Sequence, residues 1–122
     1  MLPFCVWVRA TSFIIFISIL CFAIGAVAVF GPTVATVFND NGYDTAYFGK
    51  WHLDGFHERD GRAAFHIVPP ERRGNFKEWV GFENNNSQWD SWVHGGEGEK
   101  AFHYRLPGYE TDCLTDLLLN YI

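Results

Sequence analysis

Only three cysteines occur in the 122 residues, Cys5, Cys21 and Cys113. None is spaced from another as a disulfide framework or a zinc site requires, so neither has support. Basic residues are few as well. The nine Lys and Arg are dispersed along a chain of formal net charge −5, which leaves no basic stripe and argues against a nucleic-acid partner. No internal repeat and no low-complexity segment is present. The chain is also short, bounding it to one small domain.

Aromatic residues are plentiful, at 18% of the chain. Trp51, Trp79, Trp89 and Trp92 can fill a core or stack on sugar faces, and core is the commoner use. Thr11 to Phe30 carries no charge and is rich in Ile, Phe and Val, enough for the roughly 20 residues of a bilayer-spanning helix. An apolar N-terminal helix is therefore expected over residues 1–31, with membrane insertion through Thr11–Phe30. Arg9 before the run fits a cytoplasmic N-terminus and Ala26-Val27-Ala28 resembles a cleavage site, so an uncleaved anchor and a signal peptide both stand. Either predicts that residues 32–122 are exported, periplasmic or extracellular, or held at a membrane. A misplaced reading frame is the competing account of the run.

After Gly31, Pro32 can occupy a first helical turn, and Val34, Val37 and Phe38 recur at helical spacing before Asn41-Gly42 closes the segment. Tyr43 to Phe48 reads as a strand, followed by a loop from Gly49 to Gly55. Phe56 to Gly108, punctuated by Pro69-Pro70, Asn84-Asn85-Asn86 and Gly95-Gly96, is expected to be irregular and to form surface loops over a scaffold. Thr111 or Asp112 can cap a last helix with Leu114, Leu117, Leu118 and Tyr121 on one face.

The loop carries the chemistry. Gly42, Tyr43, Thr45, Gly49, Lys50, Trp51, His52 and Leu53 match, in order, a segment of the form Gly-Tyr-x-Thr-x-x-x-Gly-Lys-Trp-His-Leu-Gly, with Asp54 intervening before Gly55. This segment resembles the active-site segment of the sulfatase family. An isolated Lys-x-His triplet is commonly a surface lysine and a structural histidine, but the flanking matches reverse those odds. The resemblance implies an α/β fold, part of an alkaline-phosphatase-like mixed sheet with flanking helices. It implies a sulfuric ester hydrolase acting on a sulfated small molecule or glycan, with Ca2+ and a catalytic formylglycine. It also implies that Lys50 contacts the sulfate and the formylglycine, and that His52 hydrogen-bonds the formylglycine and assists its turnover. The chemistry agrees, since cleavage of a sulfate ester needs a cation near the sulfate oxygens and a proton donor near the departing oxygen. In an extended segment Lys50 and His52 would share one side and Trp51 would take the other.

Other family features are missing. The formylglycine arises from Cys/Ser-x-Pro/Ala-x-Arg, and the calcium is held by an early Asp-Asp pair and a later Asp-Asn or Asp-His pair; no convincing counterpart occurs. Cys5-Val6-Trp7-Val8-Arg9 has the cysteine and arginine separation, but Trp7 replaces Pro/Ala, and the match reads as coincidence. The chain is therefore expected to be a partial catalytic domain, inactive alone.

Further along, Pro69 to Gly74, Trp79 to Asp90 and Leu106 to Asp112 are similar to segments of some bacterial sulfatases, extending the resemblance over residues 32 to 122. There Trp89, Asp90 and His94, beside Asn86 and Gln88, offer the ring and hydrogen-bonding groups of a sugar-binding cleft; turn capping and local core are equally good uses. Arg72 and Arg73 could meet an anionic substrate, although paired arginines are more often surface or ion-pair residues. His57, His66 and His103 have no ligand-like spacing. A second reading is a membrane-anchored, non-catalytic module whose Trp-rich loops bind glycans.

Overall fold

The structure, a computed structural model, describes residues 5–9, 14–18, 32–56 and 62–122, the first two stretches as backbone alone. Six strands form one sheet: β1 (Cys5–Arg9), β2 (Ile14–Ser18), β3 (Asp44–Lys50), β4 (Glu78–Phe82), β5 (Trp92–Gly95) and β6 (Phe102–Arg105), in the order β2-β1-β3-β4-β5-β6. Strands β3 and β4 run parallel, with Ala46 opposite Glu78 and Lys50 opposite Phe82, and the other neighbours run antiparallel. Two helices, α1 (Val34–Asp40) and α2 (Glu110–Tyr121), flank this mixed sheet. An α/β architecture results.

Alternation along the strands builds two cores. From β3 and β4, Tyr47 and Trp79 go to one face, where Trp51, Val68, Phe38, Tyr43 and Phe76 join them. Ala46, Phe48, Val80 and Phe82 go to the other, where Val93, Leu106 and the α2 residues Cys113, Leu114, Leu117, Leu118 and Tyr121 cover them. The expected apolar face of α2 is therefore present. The helix begins at Glu110, ahead of the expected caps, because the Glu110 N–H bonds the Gln88 carbonyl at 2.8 Å and its buried carboxylate accepts from the Ser91 hydroxyl.

Three expectations are corrected. The apolar N-terminal helix is not what the described residues form: Ile14–Ser18 is a strand paired with β1, and no helix among the described residues is long and apolar enough to cross a membrane. Its Ile-Ile-Phe-Ile sequence is β-branched and aromatic, which suits a pleated surface. The rest of Thr11–Phe30, including Ala26-Val27-Ala28, lies outside the described residues. In α1 the cap is Thr33, in a reciprocal box with Thr36, and Val34 and Val37 are exposed while Ala35 is buried. Residues 56–108, expected as loops, supply β4, β5 and β6.

Candidate functional site

Lys50 is the last residue of β3, and the chain leaves the sheet there. Gly49 makes that departure possible. Its φ of +131° is closed to L side chains, and it sits opposite Gly81 on β4, where an added Cβ would lie 2.5 Å from the Gly49 carbonyl oxygen. The Lys50 carbonyl then accepts a hydrogen bond from the Tyr47 hydroxyl. The Trp51 N–H bonds the Phe82 carbonyl at 2.7 Å and the His52 N–H bonds the Glu83 carbonyl at 2.8 Å.

Trp51 is buried, its ring edge-on to Tyr47 and Trp79, and Gly74 leaves room for it: a Cβ there would meet the indole at 2.8 Å. Lys50 is half-buried and His52 is exposed. Simple strand alternation stops at Trp51, because His52 has φ 55°, in the left-handed region that a non-glycine residue seldom adopts. A tight turn sets the direction of the imidazole.

Behind the turn lie groups that the sequence did not single out. Glu83, fully buried, accepts the Asp54 N–H on both carboxylate oxygens at 3.1 Å and the Gly55 N–H at 3.0 Å. Main chain and side chain of one residue thus grip the loop at His52, Asp54 and Gly55. Asp54, the residue that interrupts the family pattern, directs its buried carboxylate to His66 and to Arg72 Nη1, the latter at 2.8 Å. The His66 ring stacks on Phe56 with centroids 4.3 Å apart. The signal in the sequence was an acid directly after the apolar end of a strand, and an acid inserted in an otherwise matched motif.

Each downstream candidate has partners of its own. His94 is 1% exposed in β5 and accepts the Val68 N–H on Nε2 at 2.8 Å, so its proton sits on Nδ1, a buried atom with no hydrogen-bond partner among the described residues. Burial, then the nearby Arg73, His103 and His66, push its pKa down to about 3. It stays neutral, packed on Trp79. Asp90 is held in ion pairs with Arg62 and Arg105, whose hydrogen bonds keep its carboxyl below the ordinary aspartate range. Trp89 is 68% exposed beside Tyr109. Arg73 is buried, donating to the Val68 and Gly96 carbonyls and lying over the Trp79 ring, so neither it nor the Asp54-bound Arg72 is a free cation.

A shallow, open groove of about 330 Å³ runs along the sheet beside α2, lined by Phe48, Val80, Phe102, Tyr104, Leu117 and Tyr121 among others. Neither Lys50 nor His52 borders it.

The described residues offer calcium no fitting donor set. Among the described residues no three His, Cys, Asp or Glu side chains are grouped to hold a metal, and the buried carboxylates of Glu83 and Asp54 are taken by backbone N–H groups, His66 and Arg72. Cys113 packs against the α2 core within Cys-Leu-Thr-Asp-Leu, which is no formylglycine precursor.

A family model described as Sulfatase matches residues 25–122. An ulvan-active sulfatase of Formosa agariphila is 46% identical over 50 residues, a stretch covering 41% of this chain and 9% of that protein. No solved structure matches. With the family model spanning both helices and strands β3 to β6, and with the Gly-Lys-Trp-His turn inside it, the chain belongs to the sulfatase family.

Proposed function

We propose that this chain is a segment of a sulfuric ester hydrolase acting on sulfated glycans, in which Lys50 and His52 meet the ester. The observation that carries this reading is their position at the carboxyl end of β3, beside its parallel neighbour β4, with the turn fixed to the Phe82 and Glu83 carbonyls. Ligands of open α/β sheets collect beyond the carboxyl ends of strands. There the Lys50 ammonium would stabilise charge on sulfate oxygens, and the His52 imidazole would pass a proton to the departing alcohol oxygen. A turn already tied to the sheet needs little reorganisation as that charge develops.

The family's formylglycine supplies the nucleophile and its calcium neutralises sulfate oxygens. The described residues hold neither, so the roles assigned to this chain stop at charge, proton and orientation, and the chain alone should release no sulfate. Ulvan, named for the Formosa relative, is the first substrate to offer. Export belongs to the same reading, from the uncharged run Thr11–Phe30, and fractionation of a tagged chain checks it.

The test is a chimera in which residues 32–122 replace the corresponding segment of the Formosa sulfatase, assayed for sulfate release from ulvan. Retained turnover that falls with Lys50→Ala and with His52→Ala supports the assignment; turnover indifferent to both overturns it.

A further inference from the structure

Ahead of β5 the chain exposes an aromatic ring held within a charged frame. Trp89 is 68% exposed, yet its ring meets Tyr109 with centroids 5.2 Å apart, and the Tyr109 hydroxyl donates to Gln88 Oε1 at 3.1 Å. The Trp89 carbonyl accepts from Arg105 Nη2 at 3.1 Å. The indole is therefore supported on one side and open on the other. An apolar ring left in water gains by being covered, and a sugar ring is a suitable cover because its C–H face is apolar and its rim is polar.

Asp90, the next residue, accepts from Arg105 Nε at 2.8 Å and from Arg62 Nη2. Arg62 lies over the Phe65 ring at 4.7 Å, and Phe65 is edge-on to Trp92 at 5.2 Å. Two guanidiniums thus surround one carboxylate, an excess of one positive charge on a chain whose net charge is −5. Each guanidinium carries five donors, of which Asp90 and the Trp89 carbonyl take three in all. Both side chains remain about half exposed, at 47% and 55%. Asp90 therefore fixes the forks and leaves N–H groups facing solvent, where paired N–H donors can meet two oxygens of one oxyanion.

We propose that Trp89, Arg62 and Arg105 form a subsite for a sulfated saccharide, in which a sugar ring stacks on the indole and a sulfate ester sits on the guanidiniums. Asp90 positions the arginines and does not touch the sugar. His94, buried within β5, has no part in it. The subsite rests on the reading of the substrate as a sulfated glycan, but not on the roles of Lys50 and His52.

Calorimetric titration of this chain with ulvan oligosaccharides, sulfated and chemically desulfated, tests it without turnover. The sulfated form should bind about tenfold tighter than the desulfated one. Trp89→Ala should weaken both by about tenfold, whereas Trp89→Tyr, which keeps a ring, should retain most of the affinity. The pair Arg62→Gln and Arg105→Gln should lower the ratio of sulfated to desulfated affinity severalfold, with circular dichroism reporting that each variant is folded. Equal affinity for the two forms, no binding of either, or indifference to Trp89→Ala overturns the proposal. A sulfate preference that survives Arg62→Gln with Arg105→Gln undiminished and vanishes in Lys50→Ala or His52→Ala also overturns it, because the anion then sits on that pair alone. A chimera without turnover leaves the subsite standing.

Discussion

The backbone N–H of Asp54 is shared between both carboxylate oxygens of Glu83, at 3.1 Å each, although the two residues are 29 positions apart. Glu83 is fully buried, so these bonds are made away from competing water. Glu83→Ala should destabilise the fold by about 2 kcal/mol, the scale of hydrogen bonds to a charged group. Glu83→Gln, which keeps one oxygen, should lose less. Chemical denaturation gives the magnitudes, and hydrogen exchange at His52, Asp54 and Gly55 reports whether the loop opens first.

His52 holds a left-handed backbone at φ 55°. His52→Gly should therefore cost less than about 0.5 kcal/mol, relief of the turn offsetting the added freedom of the unfolded chain. His52→Val should cost about 2 kcal/mol, since a β-branched residue fits that region poorly. Thermal unfolding of both variants checks the order. In the chimera both should lower turnover, because both remove the imidazole.

Lys50→Ala in the chimera should lower turnover by about 100-fold or more with the fold intact, as loss of a preorganised charge does. Lys50→Arg should recover part of it, since charge is kept while the point-like ammonium is replaced by a planar fork. Steady-state rates with melting curves separate this from misfolding.

His94 supplies a pH signature. Its pKa falls from the ordinary histidine value of 6.5 to about 3 on folding, so the native state favours the neutral ring. That contribution is fully present above pH 6.5 and is lost as pH drops from 6.5 toward 3, with a slope of at most about 1.4 kcal/mol per pH unit. His94→Gln, whose side-chain oxygen can still accept the Val68 N–H, should flatten the stability curve across that window. An unchanged slope would assign the acid sensitivity to carboxylates.

Gly81→Ala should prevent folding or destabilise by several kcal/mol, because the new methyl would meet the Gly49 carbonyl oxygen at 2.5 Å and the Trp79 ring at 3.0 Å. Gly42→Ala, at φ +81° but with open space around it, should cost about 1 kcal/mol for backbone conformation alone. Circular dichroism and denaturation separate the two.

The sequence displayed its long, regular signals. The leucine face of α2 was visible because it repeats with the helical period, and the strand at Tyr43–Phe48 because aromatic and small residues run there without a breaker. Strands β4, β5 and β6 were not: they have four or five residues, two contain glycine, and their pairing lies in backbone hydrogen bonds that leave no pattern. The same limit hid Glu83, whose partners are N–H groups common to nearly every residue. His94 offered a polar side chain beside Trp92, and only its distance from water reveals that it braces Val68. The run Thr11–Phe30 misled in the other direction, since its length and apolarity fit a spanning helix while β-branching at Ile14–Ser18 favoured a strand.

Because β3 and β4 point the same way, the polypeptide must travel back along the sheet between them, from Trp51 to Lys77. A hairpin cannot make that journey. The excursion that delivers His52, Asp54 and His66 is therefore also the tether that fixes strand polarity, and shortening it to the length of a hairpin would reverse β4 and break up both cores.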